Sequence, residues 1–136
     1  MSVSIQAENL YYAYDGAPVL NHISFTIRRG EFFIVIGPNG SGKTTLMRII
    51  AGLLKPEQGE ISIQGRPLHG YKRKELARRI AFVPQRIPTD FPFTVSDVVL
   101  FGRTPHMGMF GLESREDIAF AQHAMAFTEV AHLAGR

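Results

Sequence analysis

The sequence predicts an α/β fold that opens with a small antiparallel sheet, continues into a strand–loop–helix unit and ends in helices. Three observations lead to this expectation. Apolar and polar residues alternate in two segments of the first 27 positions, a uniformly apolar run at 32–36 precedes a glycine-rich loop, and helix caps follow residue 93. With 136 residues, 45% hydrophobic and 20% charged, the chain has the composition of one ordinary globular domain rather than of a disordered segment.

The opening sheet is predicted from two alternating segments. Residues Val3 to Leu10 indicate a strand, and Asp15-Gly16 is typical of a tight turn. Ile23, Phe25 and Ile27 then share one face of a second strand.

The next unit has a different pattern. Phe32 to Ile36 is apolar at every position, which favours a strand buried on both faces, as in a parallel sheet. Lys43 to Leu54 is predicted to be a helix with apolar residues around most of its circumference, so it belongs inside a domain.

Further elements follow from the same patterns. The sequence predicts a short strand at 60–64, a helix at Lys74–Arg79 and a second buried strand at Ile80–Val83. Thr94 is expected to cap a helix that runs to about Phe101, and Ser114 one that runs to about Leu133.

Charge and composition exclude several classes of function. The formal charge is only +3, and the basic residues at 72–74 and 78–79 favour a solvated helix face over a phosphate, lipid or partner contact. The absence of cysteine excludes disulfides and thiol chemistry. We find no signal peptide, and no apolar run approaches the roughly 20 residues that span a bilayer. We therefore expect a soluble chain whose membrane role, if any, comes through a partner.

The segment 37–44 reads Gly-Pro-Asn-Gly-Ser-Gly-Lys-Thr and matches the pattern of a phosphate-binding loop. Gly40 and Gly42 let the backbone turn its amides toward phosphate oxygens, and the following helix adds its positive end. Lys43 is expected to reach the β- and γ-phosphates, and the Thr44 hydroxyl to complete Mg²⁺ coordination. The alternative is a chance glycine-rich turn with a solvated lysine. The residues expected to bind the triphosphate are Gly37, Asn39, Gly40, Ser41, Gly42, Lys43, Thr44 and Thr45.

The longer string from Gly37 to Leu46 resembles the Walker A motif of ABC-type ATPases. Tyr14, followed by Gly16 and Val19-Leu20, is similar to the aromatic loop that stacks on adenine in that family. Stacking of a base on an aromatic ring contributes about 1–3 kcal/mol. Tyr11 and Tyr12 compete for this role, and core packing is the alternative for Tyr14.

Two further segments carry the resemblance. Residues 51–56, with 59–61 and Gly65, resemble the family's exit from the loop helix into its antiparallel β subdomain. Phe82-Val83-Pro84-Gln85 resembles the Q-loop, which implies that Gln85 contacts Mg²⁺ and the attacking water and couples the site to a membrane partner. Lys43 and Gln85 are thus the implied catalytic residues, and Thr44 and Gln85 the implied metal contacts.

Residues 98–106, which include Arg103-Thr104-Pro105-His106, resemble ATPases of importers for iron–siderophore, haem and cobalamin complexes. The resemblance implies a P-loop NTPase (RecA-like) core with an N-terminal antiparallel β subdomain and the start of an α-helical subdomain. We expect residues 1–86 to form part of the core and residues 87–136 to begin the helical subdomain.

The same resemblance implies ATP and Mg²⁺ as cofactors and a peripheral location at the cytoplasmic face of the membrane. It implies a second ATP-binding subunit in a head-to-tail dimer, integral membrane permease subunits and, indirectly, a substrate-binding protein, with no nucleic acid. Alternatives are a different cargo, a non-transport member acting on nucleic acid or ribosomes, or a non-catalytic truncated fragment. The stretch from Arg103 to His106 and the modest charge favour transport.

The family's later motifs do not occur in the 136 residues. There is no Leu-Ser-Gly-Gly-Gln signature, no apolar strand ending in Asp-Glu and no histidine after a fitting strand. We therefore expect an incomplete domain that does not hydrolyse ATP alone, although the full-length form would. We also expect the apolar run from Phe32 to Ile36 to be exposed for lack of neighbouring strands, and the isolated chain to fold poorly.

Overall fold

The computed structural model describes residues 2–85, 92–108 and 111–136. Within this part, the chain forms two compact units, Met1–Leu76 and Ala77–Arg136. The helices and strands are β1 (Val3–Tyr14), β2 (Ala17–Arg28), α1 (Lys43–Ile50), β3 (Gln58–Ile63), β4 (Arg66–Pro67), α2 (Arg73–Ala77), α3 (Val95–Phe101) and α4 (Arg115–Phe127), with short 3₁₀ turns at Leu68–Gly70 and Ala131–Leu133.

The first unit contains an antiparallel sheet with the strand order β2-β1-β3-β4. Strands β1 and β2 form a hairpin in which Tyr14 pairs with Ala17. Both turn residues have positive φ, 49° at Asp15 and 80° at Gly16, which suits the twist of a two-residue hairpin. The predicted opening sheet and its turn are therefore confirmed, and the three tyrosines at 11, 12 and 14 belong to the first strand.

A bulge in β1 explains one glycine of β3. Glu8 pairs with Glu60 and Tyr11 with Gln58, so Asn9 and Leu10 together oppose Gly59. A β-carbon on Gly59 would lie 2.4 Å from the carbonyl oxygens of both Glu8 and Asn9, and its φ is +84°. Only glycine fits this crossing of two backbones.

The core of the first unit lies between the sheet and α1. Leu10 and Ile49 are fully buried. The other buried apolar side chains of this unit are Ala7, Leu20, Leu46, Ile61 and Ile63. The strand pairs bring these side chains together from distant parts of the sequence.

The predicted buried strand at 32–36 is absent from this chain. The segment has no assigned secondary structure, and Phe32 and Ile36 are each 88% exposed. A strand needs a hydrogen-bonded neighbour, and none of the described strands pairs with this segment. Phe33 of this segment stacks on Phe25, with ring centroids 5.2 Å apart. The exposure expected for this apolar segment is thus observed.

The prediction of a second buried strand is wrong for the same reason, the lack of a hydrogen-bonded neighbour among the described strands. Residues 80–83 form no strand among the described residues, and Val83 is 86% exposed. Helix α2 ends at Ala77, two residues before the predicted end.

Helix α1 ends at Ile50 rather than at the predicted Leu54. The Leu53 N–H donates to the Arg48 carbonyl at 2.9 Å, and the Gly52 N–H donates to that of Ile49 at 3.0 Å. With Gly52 in a left-handed conformation (φ +71°), this pair of bonds is a Schellman motif that stops the helix. The helix is consequently apolar on one face only, and Leu53 beyond it is 63% exposed.

The second unit contains two helices with confirmed caps. Thr94 accepts from the Asp97 N–H at 3.2 Å, while the Asp97 carboxylate accepts from the Thr94 N–H at 2.9 Å. Ser114 and Asp117 form the same reciprocal box at the start of α4. Asp therefore replaces the usual Glu or Gln in both boxes.

Helix α4 is shorter than predicted, since it ends at Phe127 rather than near Leu133. Glu129 adopts φ +60°, and its N–H donates to the Ala126 carbonyl at 3.1 Å. The Val130 N–H donates to the Met125 carbonyl at 2.9 Å. These bonds form a second Schellman motif, after which only a 3₁₀ turn remains.

Asp117 also binds Arg103. The Arg103 Nε lies 3.0 Å from Asp117 Oδ1, and its guanidinium carbon lies 4.3 Å from the centroid of the Phe120 ring. The hydrogen bonds from Ser114, followed by the one from Arg103, lower the pKa of Asp117 to about 2. Asp117 therefore carries its charge at neutral pH and ties the loop after α3 to α4.

We predict that Gly59→Ala lowers the free energy of unfolding by about 2–4 kcal/mol, because left-handed strain and a backbone clash add. Gly65→Ala is the matched control: φ is +77° there, but a β-carbon would meet nothing within 4 Å. It should cost only about 1–2 kcal/mol. Urea unfolding followed by circular dichroism measures both changes, and equal losses would contradict the bulge contact.

Candidate phosphate-binding site

The loop at residues 37–42 leads directly into the N-terminus of α1. Gly40 has φ +82° and Gly42 has φ +87°, backbone conformations that residues other than glycine rarely adopt. Gly42 is also the N-cap of α1, and no side chain caps the helix there. The first amides of an α-helix have no acceptor within the helix, so this end presents N–H donors and a positive dipole end.

The Lys43 side chain folds back over this loop. Its Nζ donates to the Gly37 carbonyl at 2.7 Å, to the Pro38 carbonyl at 2.6 Å and to Ser41 Oγ at 3.3 Å. An ammonium group has three N–H bonds, so these three neutral acceptors satisfy it. The positive charge is thus held against the loop at residues 37, 38 and 41.

The two threonines that follow differ in exposure. Thr44 is exposed, whereas Thr45 is buried with 6% of its surface accessible. The Thr44 hydroxyl is therefore open to a ligand or metal, and the Thr45 side chain belongs to the packing under the loop.

The hairpin supports the loop from one side. A β-carbon on Gly42 would lie 2.8 Å from the Val19 carbonyl oxygen and 3.0 Å from Leu20 Cδ2. Glycine is therefore required at position 42 for two reasons: it lets the loop approach β2 closely, and it adopts the left-handed backbone conformation. The sequence pattern assigns this glycine to the loop but does not reveal its contact with the hairpin.

Tyr14 lies at the end of β1, in the same unit as the loop, and is 44% exposed. Its ring meets that of Tyr12 edge to face, with centroids 5.0 Å apart and planes at 77°. Tyr11 is half-buried and contacts the His22 ring at 5.6 Å. Of the three tyrosines considered for base stacking, Tyr14 is thus the most exposed.

Gln85 and Arg103 lie in the second unit, and the loop around Lys43 lies in the first. Gln85 is exposed at the end of a segment without secondary structure. Its role beside the phosphate loop stays a prediction. Arg103 binds Asp117 and Phe120 within its own unit, which is a structural role that the sequence did not indicate.

The described residues contain neither a candidate membrane span nor a candidate metal cluster. No helix there is long and apolar enough to span a membrane. Within the same residues, no three His, Cys, Asp or Glu side chains converge on a point where they could hold a metal ion.

A lysine held by loop carbonyls, in a loop with left-handed glycines that leads into an uncapped helix N-terminus, has the geometry of a site for phosphate groups. This class of site is found in nucleotide-binding proteins. The family model for ABC transporters matches residues 20–135. This chain therefore belongs to the ABC transporter family, as the sequence motifs indicated, and its predicted fold class is confirmed.

Known relatives support this assignment. The chain is 40% identical over 131 residues to the uncharacterized ABC transporter ATP-binding protein YvrA of Bacillus subtilis, covering 96% of this chain and 30% of that protein. It is 40% identical over 135 residues to the hemin import ATP-binding protein HmuV of Thermobifida fusca, covering 99% of this chain and 47% of that protein.

A solved structure gives the same result. It is described as a metal-chelate type ABC transporter in an inward-facing conformation, and it matches with a TM-score of 0.79 and 31% identity. The match covers all of this chain and 48% of the other. The chain thus spans from about a third to about half of the length of these relatives.

We predict that Gly42→Ala destabilises the first unit by about 2–4 kcal/mol, because a methyl group would meet the Val19 carbonyl in a strained backbone conformation. Gly40→Ala is the control within the same loop, since its φ of +82° carries the strain but nothing lies within 4 Å of the added carbon. Its cost should be about 1–2 kcal/mol. Urea unfolding measures both free energies of unfolding. A larger loss for Gly40→Ala than for Gly42→Ala would contradict the hairpin contact.

Proposed function

We propose that this chain binds ATP with Mg²⁺ through the loop at 37–45, with Tyr14 stacked on the adenine. The observation that carries the proposal is the Lys43 ammonium, held by the Gly37 and Pro38 carbonyls beside the uncapped N-terminus of α1. The amides from Asn39 to Thr45, together with Gly37 and Ser41 beneath the lysine, would surround the β- and γ-phosphates.

The energetics favour an exchange of partners at Lys43. Its three current acceptors are two carbonyls and a hydroxyl, all neutral. A phosphate oxygen carries negative charge and forms a shorter and stronger hydrogen bond to an ammonium group. The weakest contact, to Ser41 Oγ at 3.3 Å, is the one we expect a phosphate to replace first.

The residues present fit Mg²⁺ as part of an ATP complex. Mg²⁺ usually keeps several waters and takes few protein ligands when substrate phosphates bind it. The exposed Thr44 hydroxyl supplies one oxygen ligand, and we propose that the Gln85 amide oxygen supplies another. The bound ion would neutralise phosphate charge, while Lys43 and the loop amides orient the triphosphate.

For the whole protein, we propose an ATP-hydrolysing subunit of an ABC importer for iron–siderophore or related metal-chelate complexes. The support is the names of the relatives, which include a hemin importer and a metal-chelate type transporter, and the stretch from Arg103 to His106. Such a subunit would pair head to tail with a second copy at the cytoplasmic face of the membrane. It would contact permease subunits and, through them, a substrate-binding protein. The division at residue 86 into core and helical parts stays a prediction.

We further propose that these 136 residues alone do not hydrolyse ATP. Catalysis requires a group that orients or deprotonates the attacking water, and such a group typically contributes about 10²–10⁴ in rate. Neither an Asp-Glu strand nor the Leu-Ser-Gly-Gly-Gln signature occurs in the sequence. A different cargo remains the second candidate, because in the family that this chain resembles the cargo is selected by periplasmic and membrane subunits.

We predict that Lys43→Ala weakens ATP binding by roughly 10- to 150-fold, the equivalent of one charge-assisted hydrogen bond. The control is Lys72→Ala, which removes the same charge from an exposed position of the first unit. The chain has no tryptophan, so titration with a fluorescent ATP analogue is free of tryptophan emission. Equal affinities for the wild type and Lys43→Ala would contradict the proposed site.

We also predict that the purified chain releases no phosphate above background, because the water-activating residues are missing. A chimera that joins residues 1–136 to the second half of the Thermobifida relative should hydrolyse ATP, and Lys43→Ala should abolish this activity. The decisive contrary result is turnover by the isolated chain that Lys43→Ala removes.

A further inference from the structure

We propose that Tyr12 and Glu57 are positioning residues that hold Tyr14 in place for the nucleotide base. This inference rests on the proposed ATP site and deepens it, since it names the groups that would give the site its preference for a base. Neither residue belongs to the phosphate loop or to the stacking position. Their contacts lie wholly within the first unit.

Tyr12 supports Tyr14 along the same side of β1. The two residues are separated by one position, so they point to the same face of the strand. Their rings form the edge-to-face contact at 5.0 Å that aromatic pairs prefer. Tyr12 is half-buried while Tyr14 is 44% exposed, so the inner ring is fixed and the outer ring retains a free surface.

Tyr12 also links Tyr14 to the phosphate loop. It pairs with Leu20 across the hairpin, and Leu20 is buried. Leu20 Cδ2 would lie 3.0 Å from a β-carbon on Gly42. The series Tyr14, Tyr12, Leu20 and Gly42 is therefore continuous, and it sets the base-contacting ring at a fixed place relative to the loop.

Glu57 holds the strand between the two tyrosines. Its carboxylate Oε1 accepts from the Ala13 N–H at 3.3 Å, and its own N–H donates to the Tyr11 carbonyl at 3.0 Å. The pairing of β1 with β2 is irregular on both sides of Tyr12, and Ala13 faces Pro18, which has no N–H to donate. Glu57 thus adds bonds to β1 where its pairing with β2 is weakest.

The position of Glu57 in the chain adds to this role. It lies between the end of α1, the helix that the phosphate loop starts, and the beginning of β3. Its two bonds therefore join the polypeptide leaving that helix to the strand that carries Tyr14. Burial, then the charges near Tyr12, including that of Glu57, raise the pKa of the Tyr12 phenol.

The proposal predicts an effect that depends on the base. Loss of Tyr12 or Glu57 leaves the phosphate loop intact but lets the Tyr14 ring move, so affinity for ATP should fall while affinity for a phosphate chain without a base should not. Tripolyphosphate is a suitable probe because it lacks both ribose and adenine. If Tyr12 and Glu57 only stabilised the fold, their loss would lower the affinities for ATP and tripolyphosphate to the same extent.

The experiment compares the dissociation constants of ATP and tripolyphosphate, each with Mg²⁺, by calorimetry on the chain. Glu57→Ala and Tyr12→Leu should weaken ATP about 2- to 10-fold, the range expected for an aromatic contact, and should change tripolyphosphate binding by less than about twofold. Glu57→Gln keeps an oxygen acceptor, and Tyr12→Phe keeps the ring, so both should bind ATP as the wild type does. Glu8→Ala is the control for loss of a carboxylate on the same sheet.

A double-mutant cycle with Tyr14→Ala makes the test specific. If Glu57 acts through Tyr14, Glu57→Ala should cause no further loss of ATP affinity once the Tyr14 ring is gone. Additive losses, or equal losses for ATP and tripolyphosphate in both Glu57→Ala and Tyr12→Leu, would overturn the inference. A wild-type chain that binds neither ligand would instead overturn the proposed ATP site, so the two failures are distinguishable.

Discussion

The site depends on one pair of hydrogen bonds. The Lys43 ammonium donates them to the loop carbonyls of Gly37 and Pro38, at 2.7 and 2.6 Å. This contact joins the first residue of α1 to the start of the loop, and the left-handed backbones of Gly40 and Gly42 turn the chain between them into the helix. The Lys43 ammonium therefore lies beside the positive end of the α1 dipole, and the two charges add at this end of the helix. This combination favours the binding of an anion such as phosphate at the loop.

The β1–β2 hairpin supports the loop and carries the tyrosines. The approach of Val19 and Leu20 to Gly42 requires a glycine there, and the same strand pair carries Tyr12 and Tyr14. One small sheet therefore supports both the proposed phosphate contacts and the proposed base contact. The spacing between them is fixed by backbone pairing rather than by a flexible connection, which lowers the entropy cost of binding a nucleotide.

Sequence reasoning succeeded where structure is determined locally. Helix caps at Thr94 and Ser114 need only residues three positions away, and the turn at Asp15-Gly16 needs only two left-handed residues. The glycine loop is equally local. These features were predictable because a short stretch of sequence contains all of the groups involved.

Sequence reasoning failed where a feature depends on residues that are distant along the chain. The runs at 32–36 and 80–83 have strand composition, but no described strand pairs with either, so hydrophobicity alone did not make them strands. The ends of α1 and α4 are a local exception, because the left-handed residues Gly52 and Glu129 stop both helices before the apolar patterns end. The contacts of Glu57 with Ala13 and Tyr11 join residues more than 40 positions apart and have no signature in sequence.

Hydrogen exchange of the loop amides, with and without Mg²⁺–ATP, tests the central claim most directly. If the loop holds the triphosphate, the amides from Asn39 to Thr45 should become protected on addition of ATP, and AMP, which lacks the β- and γ-phosphates, should protect them far less. The account would be contradicted if saturating ATP left these amides unprotected while slowing exchange elsewhere in the chain.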